Sequence, residues 1–395
     1  MELDLQLTPL PLSLSLSDED VRRIVKWLKP LLRRSKEPFA KLQANELTEI
    51  VRLLTNYIYR DRLIVGPGKG GWGASDRRWT AAVLGPESAS HVNDSVFTTC
   101  AVTSALIKCS EFKRRAQLSA GIGVVATMKP LPDALLEEYF RSRWKAHTGE
   151  GGILAVDREG KLEIRSNYRH TARLLRMWID SMPEYAERID KTMGYLLEHF
   201  NTETWSEESV TTAVAAYVAI RQCVKARVCL SQADRLEELA VKLERIIVRQ
   251  YKPELRGWTF RKSVQLPQES GRQSYTLLTL VELWPLQKVL AVELVELMRE
   301  ALHETVSGRW GVVGDAGVPL VLGEPSNVSM SCLAISALAR KGNLNEAEQA
   351  FSGQVMSYIQ RQCDQMQGRQ DGYYSWAVSY FLEDACNFLG DLKPQ

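Results

Sequence analysis

The fold of this chain is decided by two stretches of sequence, SVFTTCAVTSAL at residues 95–106 and NVSMSCLAISAL at residues 327–338. Both consist of small and apolar residues without a charge, which is typical of a helix surrounded by protein on most sides. Each follows a tryptophan, Trp72 in the first case and Trp310 in the second. Two such copies in one chain indicate a helical repeat.

Aromatic or apolar residues, most of them next to a glycine, mark the repeat along the chain. The gaps between successive markers from position 153 to position 310 are 52, 53 and 52 residues, a period in the range of repeat architectures. The gap from position 72 to position 153 is 81 residues and predicts an insertion around residues 111–132. These repeat markers are Gly71-Trp72, Gly152-Ile153, Trp205, Gly257-Trp258, Trp310 and the cluster of Tyr373, Tyr374 and Trp376.

Each repeat marker lies between two kinds of predicted helix. The helix before it is amphipathic, with apolar residues at the i, i+3, i+4 and i+7 positions. The helix after it carries few charges and many small residues, which predicts burial. The predicted amphipathic helices cover residues 45–59, 132–147, 185–200, 232–250, 285–306 and 345–366. The predicted buried helices cover residues 95–109, 171–179, 208–223, 275–284, 328–340 and 376–388.

Six helix pairs in two layers predict an all-α fold, an (α/α)6 toroid. An open solenoid is the alternative, but open arrays usually have repeats of about 33 to 47 residues with tight connections. Here several markers are followed by a long loop, and long loops on one rim commonly carry the function. We expect the toroid to span residues 45–395, after an N-terminal extension at residues 1–44 that contains a basic amphipathic helix.

Composition places the chain among soluble globular proteins. Its 395 residues are 45% hydrophobic and 25% charged, which excludes disorder as the dominant state. No apolar run reaches about 18 residues, so no transmembrane segment is expected, and the acidic start differs from a secretory signal. Seven cysteines without a C-x-x-C pair fit a reducing compartment. These features together predict a cytoplasmic protein.

The repeat resembles that of terpenoid cyclases and protein prenyltransferase β subunits. The resemblance rests on the stretches at residues 95–106 and 327–338 with their upstream markers, and it covers about residues 45–390 as a repeat pattern. It implies an α/α toroid. It also leaves open an enzyme with terpenoid cyclase-like or prenyl-transfer chemistry, which would have an apolar, closed cavity lined by the repeated aromatic residues.

The catalytic signatures of that superfamily are missing from the sequence. Class II terpenoid cyclases protonate their substrates with a D-x-D-D motif, and magnesium-diphosphate sites use D-D-x-x-D motifs; neither occurs here. Prenyltransferases hold zinc with Asp, Cys and His. Cys100 and Cys332 occupy matching repeat positions, which is typical of packing slots for a small side chain, and Asp384-Ala385-Cys386 lacks the context of a zinc site. We therefore expect no metal and no other cofactor.

Polar residues in the loops before the predicted buried helices are the candidate catalytic groups. His91 and Asp94 precede the helix at residues 95–109, and Asp315 and Glu324 lie in the corresponding loop of a later repeat. Toroidal glycoside hydrolases place an acid and a base in such loops, so a carbohydrate-active enzyme is a further alternative. For Asp94, capping of the following helix is the favoured interpretation.

Two groups of residues are the candidate binding sites. Trp72, Trp258, Trp310 and Trp376 could line a cavity for an apolar small molecule, although a structural role in locking loops against helices is favoured. Residues 21–42 carry eight basic residues and one acidic residue, and such an excess of positive charge can dock an acidic partner. The basic candidates in this segment are Arg22, Arg23, Arg33 and Arg34.

Net charge and the missing motifs together lead to a functional prediction. The 50 Lys and Arg residues nearly balance the 48 Asp and Glu residues, which argues against a nucleic-acid partner. The chain has a repeat that resembles that of terpenoid cyclases and prenyltransferases, but it lacks their acid and metal motifs. The sequence therefore predicts a non-catalytic, regulatory toroid that binds a protein or peptide partner through its loop rim and its basic N-terminal helix.

Overall fold

Helices make up most of the described residues in the computed structural model of the chain. Among the residues that the structure describes, no helix is long and apolar enough to cross a membrane. The described residues are 37–40, 42–60, 62, 70–73, 96–120, 136–140, 154–156, 162–166, 168–181, 186–207, 209–226, 232–259, 272–307, 327–365 and 375–391.

The helices with assigned bounds are numbered α1 to α13 along the described chain. Residues 136–140 are also helical, and Trp284–Leu286 form a 3-10 turn. The bounds are α1 (Glu37–Ala40), α2 (Ala44–Arg60), α3 (Val96–Ala120), α4 (Tyr168–Ser181), α5 (Ala186–Glu198), α6 (Thr202–Glu207), α7 (Val210–Ala226), α8 (Ala233–Arg249), α9 (Arg272–Leu283), α10 (Val292–Val306), α11 (Asn327–Lys341), α12 (Glu346–Gln365) and α13 (Ser375–Asp391).

The predicted helices are present wherever the structure describes them, but two of them differ in extent. Helix α3 continues to Ala120, through the start of the predicted insertion, because residues 110–120 contain neither proline nor glycine to stop it. The helix predicted at residues 285–306 begins only at Val292, since Pro285 forms part of the preceding 3-10 turn.

A short antiparallel sheet departs from the all-α prediction. Strand β1 (Leu154–Val156) pairs with β2 (Leu162–Ser166), and Val156 lies opposite Leu162. The sequence LEIRS of β2 alternates apolar and polar residues, which is the pattern of a strand. The helical period of the remaining sequence concealed this local signal.

The six buried helices contact one another in a closed order. Each packs against the next buried helix along the chain, and the last one, α13, packs against the first one, α3. Residues 210–220 of α7 are all buried, as expected for a helix enclosed by neighbours. The buried helices are α3, α4, α7, α9, α11 and α13.

The amphipathic helices pack on the buried helices that precede them in the chain, rather than on the buried helices that follow them in the sequence repeat. Each of α5, α8, α10 and α12 packs against the buried helix that precedes it in the chain. Helix α2, the first amphipathic helix of the described residues, packs against α13. The start and the end of the described chain are therefore joined by packing.

Trp258 fastens the end of one amphipathic helix to the start of the next buried helix. Its indole N–H donates to the carbonyl of Ile247 in α8 at 2.9 Å, and its backbone N–H donates to the hydroxyl of Thr276 in α9 at 2.9 Å. The side chain is fully buried. Trp258 thus links the two helices through one hydrogen bond from its indole and one from its backbone.

Trp72 repeats this arrangement at the first marker. Its indole N–H donates to the carbonyl of Ile58 in α2 at 2.8 Å, and its backbone N–H donates to the hydroxyl of Thr99 in α3 at 2.9 Å. A Cβ atom on Gly71 would lie 2.7 Å from that hydroxyl and 2.7 Å from the ring of Tyr139. The glycine before the tryptophan is needed for this close approach.

We predict that Thr276→Val destabilises the protein by about 1–3 kcal/mol, because it leaves the buried N–H of Trp258 without an acceptor. Urea unfolding followed by circular dichroism measures the change. Thr279→Val is the matched control, one turn further along α9. The hydroxyl of Thr279 is fully buried and has no hydrogen-bond partner in the described structure, so its replacement is expected to change stability by less than about 0.5 kcal/mol.

The pair of Thr99→Val and Thr103→Val tests the same junction in α3. Thr99 accepts from Trp72, whereas the hydroxyl of Thr103 is buried without a partner in the described residues. If Thr99→Val and Thr103→Val changed stability equally, or if Thr276→Val and Thr279→Val did, the junction role of the tryptophans would be contradicted.

Candidate functional site

Charged side chains of several buried helices meet in the interior, where the other side chains are apolar or small and uncharged. Buried charges are stable only when they are paired and hydrogen-bonded, and the partners here come from five different helices. We call this group the central cluster. Its members are Lys108 of α3, Arg173 and Arg176 of α4, Glu282 of α9, Arg340 of α11, and Tyr380, Glu383 and Asp384 of α13.

Glu282 joins α4 and α13 to α9. Its side chain is inaccessible to solvent, and it accepts a hydrogen bond from Nη1 of Arg173 at 2.5 Å. Nη1 of Arg176 and the hydroxyl of Tyr380 also donate to this carboxylate. Three donors satisfy the two carboxylate oxygens without water.

Arg340 joins α11 to α9 and α13. Its Nε lies 2.9 and 3.0 Å from the two carboxylate oxygens of Asp384, and Nη2 lies 3.5 Å from Glu383. Nη1 donates to the main-chain carbonyl of Val281 at 3.2 Å. Burial works against the charge of Arg340, but Asp384 and Glu383 outweigh this effect and raise its pKa. The guanidinium therefore keeps its charge throughout the physiological range.

Glu383 lies at the contact between the first and the last buried helix, where it pairs with Lys108 of α3. Burial by itself raises the pKa of Glu383, but the positive charges of Lys108, Arg340 and Arg176 outweigh burial and hold the pKa at about 2. The carboxylate is ionised at neutral pH. It cannot act there as the protonated acid that a class II cyclase needs.

A small cavity of about 20 Å³ adjoins the central cluster, with room for a water molecule or a small chemical group. Burial raises the pKa of the Cys100 thiol against the opposing effect of Arg173, so the thiol stays protonated at neutral pH. The cavity is lined by Cys100, Ala101, Ser104, Arg173, Arg176, Met177, Tyr380 and Glu383.

The three described tryptophans of the predicted cavity lining, Trp72, Trp258 and Trp376, are not brought together into one cavity. Trp72 and Trp258 are fully buried at separate helix junctions. Trp376 packs edge-on against Phe97 at a centroid distance of 5.7 Å, and the guanidinium of Arg173 lies over the same phenylalanine ring at 4.5 Å. Of the described tryptophan candidates, Trp376 is therefore the one next to the central cluster.

The remaining predicted site residues lie outside the described part of the chain. These are the candidate catalytic residues His91, Asp94, Asp315 and Glu324, the tryptophan Trp310 and the basic residues Arg22, Arg23, Arg33 and Arg34.

The cysteine positions considered for zinc are packed in the protein interior. Cys100 and Cys332 are buried, and burial raises the thiol pKa of both. Asp384 is bound to Arg340, and Cys386 is buried, which raises the pKa of its thiol. Among the described residues, no group of three or more His, Cys, Asp and Glu side chains is placed to hold a metal ion.

Sequence reasoning missed the central cluster, although a signal for it exists. Arg173, Arg176, Glu282 and the adjacent pair of Glu383 and Asp384 are charges within helices that otherwise read as buried, for example in the stretch FLEDA at residues 381–385. A buried helix tolerates a charge only beside an opposite charge. The charges could have been recognised as mutual partners, but their pairing needs the three-dimensional arrangement.

Comparison with known proteins gives no family for this chain. No model of a known protein family matches it, and no curated protein matches it at a significant level. The described residues are predominantly helical, and their buried helices contact one another in a closed order around the central cluster.

We predict that Glu383→Gln weakens the acid dependence of stability. Because the pKa of Glu383 falls from its ordinary value of 4.5 to about 2 in the folded protein, its ionisation stabilises the protein above pH 4.5. This stabilisation, about 3 kcal/mol, is lost as the pH falls from 4.5 towards 2.

Urea unfolding at a series of pH values between 3 and 7 measures the effect. Glu383→Gln should lower stability at pH 7 and flatten its pH dependence below pH 4.5. Glu293→Gln, at an exposed position of α10, is the control and should follow the wild type. If the free energy of unfolding of Glu383→Gln fell with decreasing pH as steeply as that of the wild type, Glu383 would not be the group responsible.

Proposed function

We propose that the chain folds as an (α/α)6 toroid. Three observations support this architecture. The buried helices contact one another in chain order, and α13 packs on α3. The amphipathic helices pack on their outer side and also contact one another, as α8 does with α10 and α12 does with α2. The tryptophan junctions repeat at Trp72 and Trp258.

The toroid serves as a non-catalytic binding module for a protein or peptide partner. The observation that carries this proposal is the pairing within the central cluster. Toroidal enzymes of this architecture hold a reactive acid or metal in the centre, as the resemblance implies. Here the acids Glu282, Glu383 and Asp384 are each bound to a buried arginine or to Lys108. Acids paired with buried basic groups brace the helices. For Glu383 the pKa of about 2 keeps the carboxylate ionised, so it is not a proton donor at neutral pH.

The partner is held at the rim formed by the long connections. Connections from an amphipathic helix to the next buried helix, such as those at residues 61–95 and 308–326, are longer than the reverse connections at residues 182–185 and 342–345. The tryptophan junctions at Trp72 and Trp258 join the same helix ends, and we assign the partner to this side of the toroid. Long loops on a rigid scaffold are the usual place for recognition.

The basic N-terminal segment gives the partner its chemistry. Residues 21–42 carry a strong excess of positive charge in a chain that is nearly neutral overall. This segment attracts an acidic protein or peptide surface, and α1, at its end, packs against α11 and α12. The described end of the segment thereby lies beside the C-terminal helices.

The test is native mass spectrometry of the protein purified from its own host. We expect a co-purifying protein at fixed stoichiometry. Joint replacement of Arg22, Arg23, Arg33 and Arg34 by glutamine should weaken its binding at least about tenfold, because the interaction is steered by charge.

A matched control replaces four exposed arginines of α8 and α10, namely Arg235, Arg245, Arg249 and Arg299. This variant removes the same charge from the amphipathic helices and should bind the partner as the wild type does. If both variants lost the same affinity for the partner, the interaction would depend on overall charge and not on the N-terminal segment. Turnover of an isoprenoid or sugar substrate that disappears on changing Asp94, Asp315 or Glu324 would overturn the proposal.

A further inference from the structure

Two buried thiols meet where α13 packs against α3. Cys109 of α3 is 1% exposed, and Cys386 of α13 is 2% exposed. Both are free cysteines. The thiol of Cys109 donates to the main-chain carbonyl of Leu382 at 3.8 Å, which places the sulfur of Cys109 on the surface of α13.

Helix geometry brings Cys386 to the same place. Cys386 follows Leu382 by four residues, so the two lie on one face of α13. Side chains in a helix tilt towards its N-terminus, which directs the thiol of Cys386 over the turn that Cys109 touches. Burial first, and the neighbouring Cys109 second, raise the pKa of the Cys386 thiol. The two sulfur atoms are therefore close enough to influence each other.

Small side chains lie beside both thiols. Ala105 is one turn before Cys109 in α3, and Ala385 directly precedes Cys386 in α13; both alanines are inaccessible to solvent. Helices α3 and α13 share the most extensive helix–helix contact of the described residues. A disulfide needs Cα atoms about 4.4–6.8 Å apart, a separation that small residues on packed helices allow.

We propose that Cys109 and Cys386 form a reversible disulfide when the protein is exposed to peroxide. The bond links the first buried helix to the last one and holds α13 on α3. In a reducing compartment the thiols stay free, and the bond forms only during oxidation. The inference is independent of the partner proposed above, because it rests on the contact between α3 and α13 and not on the rim or the N-terminal segment.

The reaction begins with a local opening of α13. Cys386 lies in the penultimate turn of this helix, which ends at Asp391, and helix ends open more readily than the rest of a fold. Opening removes the burial that raises the pKa of the Cys386 thiol. The thiol then ionises as an exposed cysteine does, and the thiolate is the form that peroxide attacks.

Two steps then form the bond. Hydrogen peroxide transfers one oxygen to the Cys386 thiolate, which becomes a sulfenic acid, and hydroxide leaves. When α13 packs on α3 again, the sulfur of Cys109 attacks the sulfur of the sulfenic acid. The S–S bond forms, the S–O bond breaks, and the oxygen leaves as water. In sum, two thiols and one peroxide give one disulfide and two waters.

The test treats the full-length protein with hydrogen peroxide and analyses tryptic peptides without reduction. Trypsin cleaves after Lys108 and Lys113, so Cys109 lies in the peptide of residues 109–113, and Cys386 lies in that of residues 370–395. We expect these two peptides to be joined, and dithiothreitol should separate them. If the oxidised protein contained no such pair, or joined these cysteines only to others, the proposal would be overturned.

The disulfide should also raise the melting temperature, because it restricts the unfolded chain over a long segment. The reference is the same treated sample after dithiothreitol, which opens the disulfide but leaves oxidised methionine unchanged. We expect a melting temperature about 3 °C or more higher before dithiothreitol than after it. Equal melting temperatures would show that the bond does not hold α13 on α3.

Cys386→Ala should abolish both the joined peptides and the difference in melting temperature. Cys223→Ala is the matched control, since Cys223 is also a buried free cysteine near the end of a buried helix, α7. This control should keep both effects. Loss of both effects in Cys223→Ala as well would overturn the assignment to Cys109 and Cys386.

Discussion

The packing of α13 against α3 is the contact that closes the order of the buried helices in the described chain. It joins residues as far apart in sequence as Lys108 and Glu383, and the thiol of Cys109 donates to the carbonyl of Leu382 across it at 3.8 Å. The other buried helices contact their successors in the chain, which an open array would also allow. This one contact covers the apolar surface that both end helices would otherwise expose to water.

The central cluster adds specificity to this apolar packing. Buried ion pairs contribute little net stability, because the cost of removing charges from water offsets their attraction. We interpret their role here as the selection of one arrangement. Glu282 must face Arg173 and Arg176, and Arg340 must face Asp384. A shift of any helix along its axis would leave a buried charge without its partner.

The helices were predictable from the sequence because periodicity and residue size act locally. The tryptophans were recognisable as repeat markers, but the hydroxyl that each one reaches, as Trp258 reaches Thr276, depends on the helix that follows a variable loop. The central cluster was not predictable. Its members are spread from Lys108 to Asp384, and each is brought to its partner only when the helices pack in a closed order.

The most direct test of the closure is zero-length carbodiimide cross-linking with peptide mass spectrometry. An isopeptide link between Lys108 and Glu383 is expected, and Lys108→Arg should abolish it. Lys341 and Glu348 are the internal control, because they pair at 2.8 Å between successive helices. Their side chains are 18% and 9% exposed, against 26% and 12% for Lys108 and Glu383. A link between Lys341 and Glu348 without one between Lys108 and Glu383 would contradict the closed arrangement.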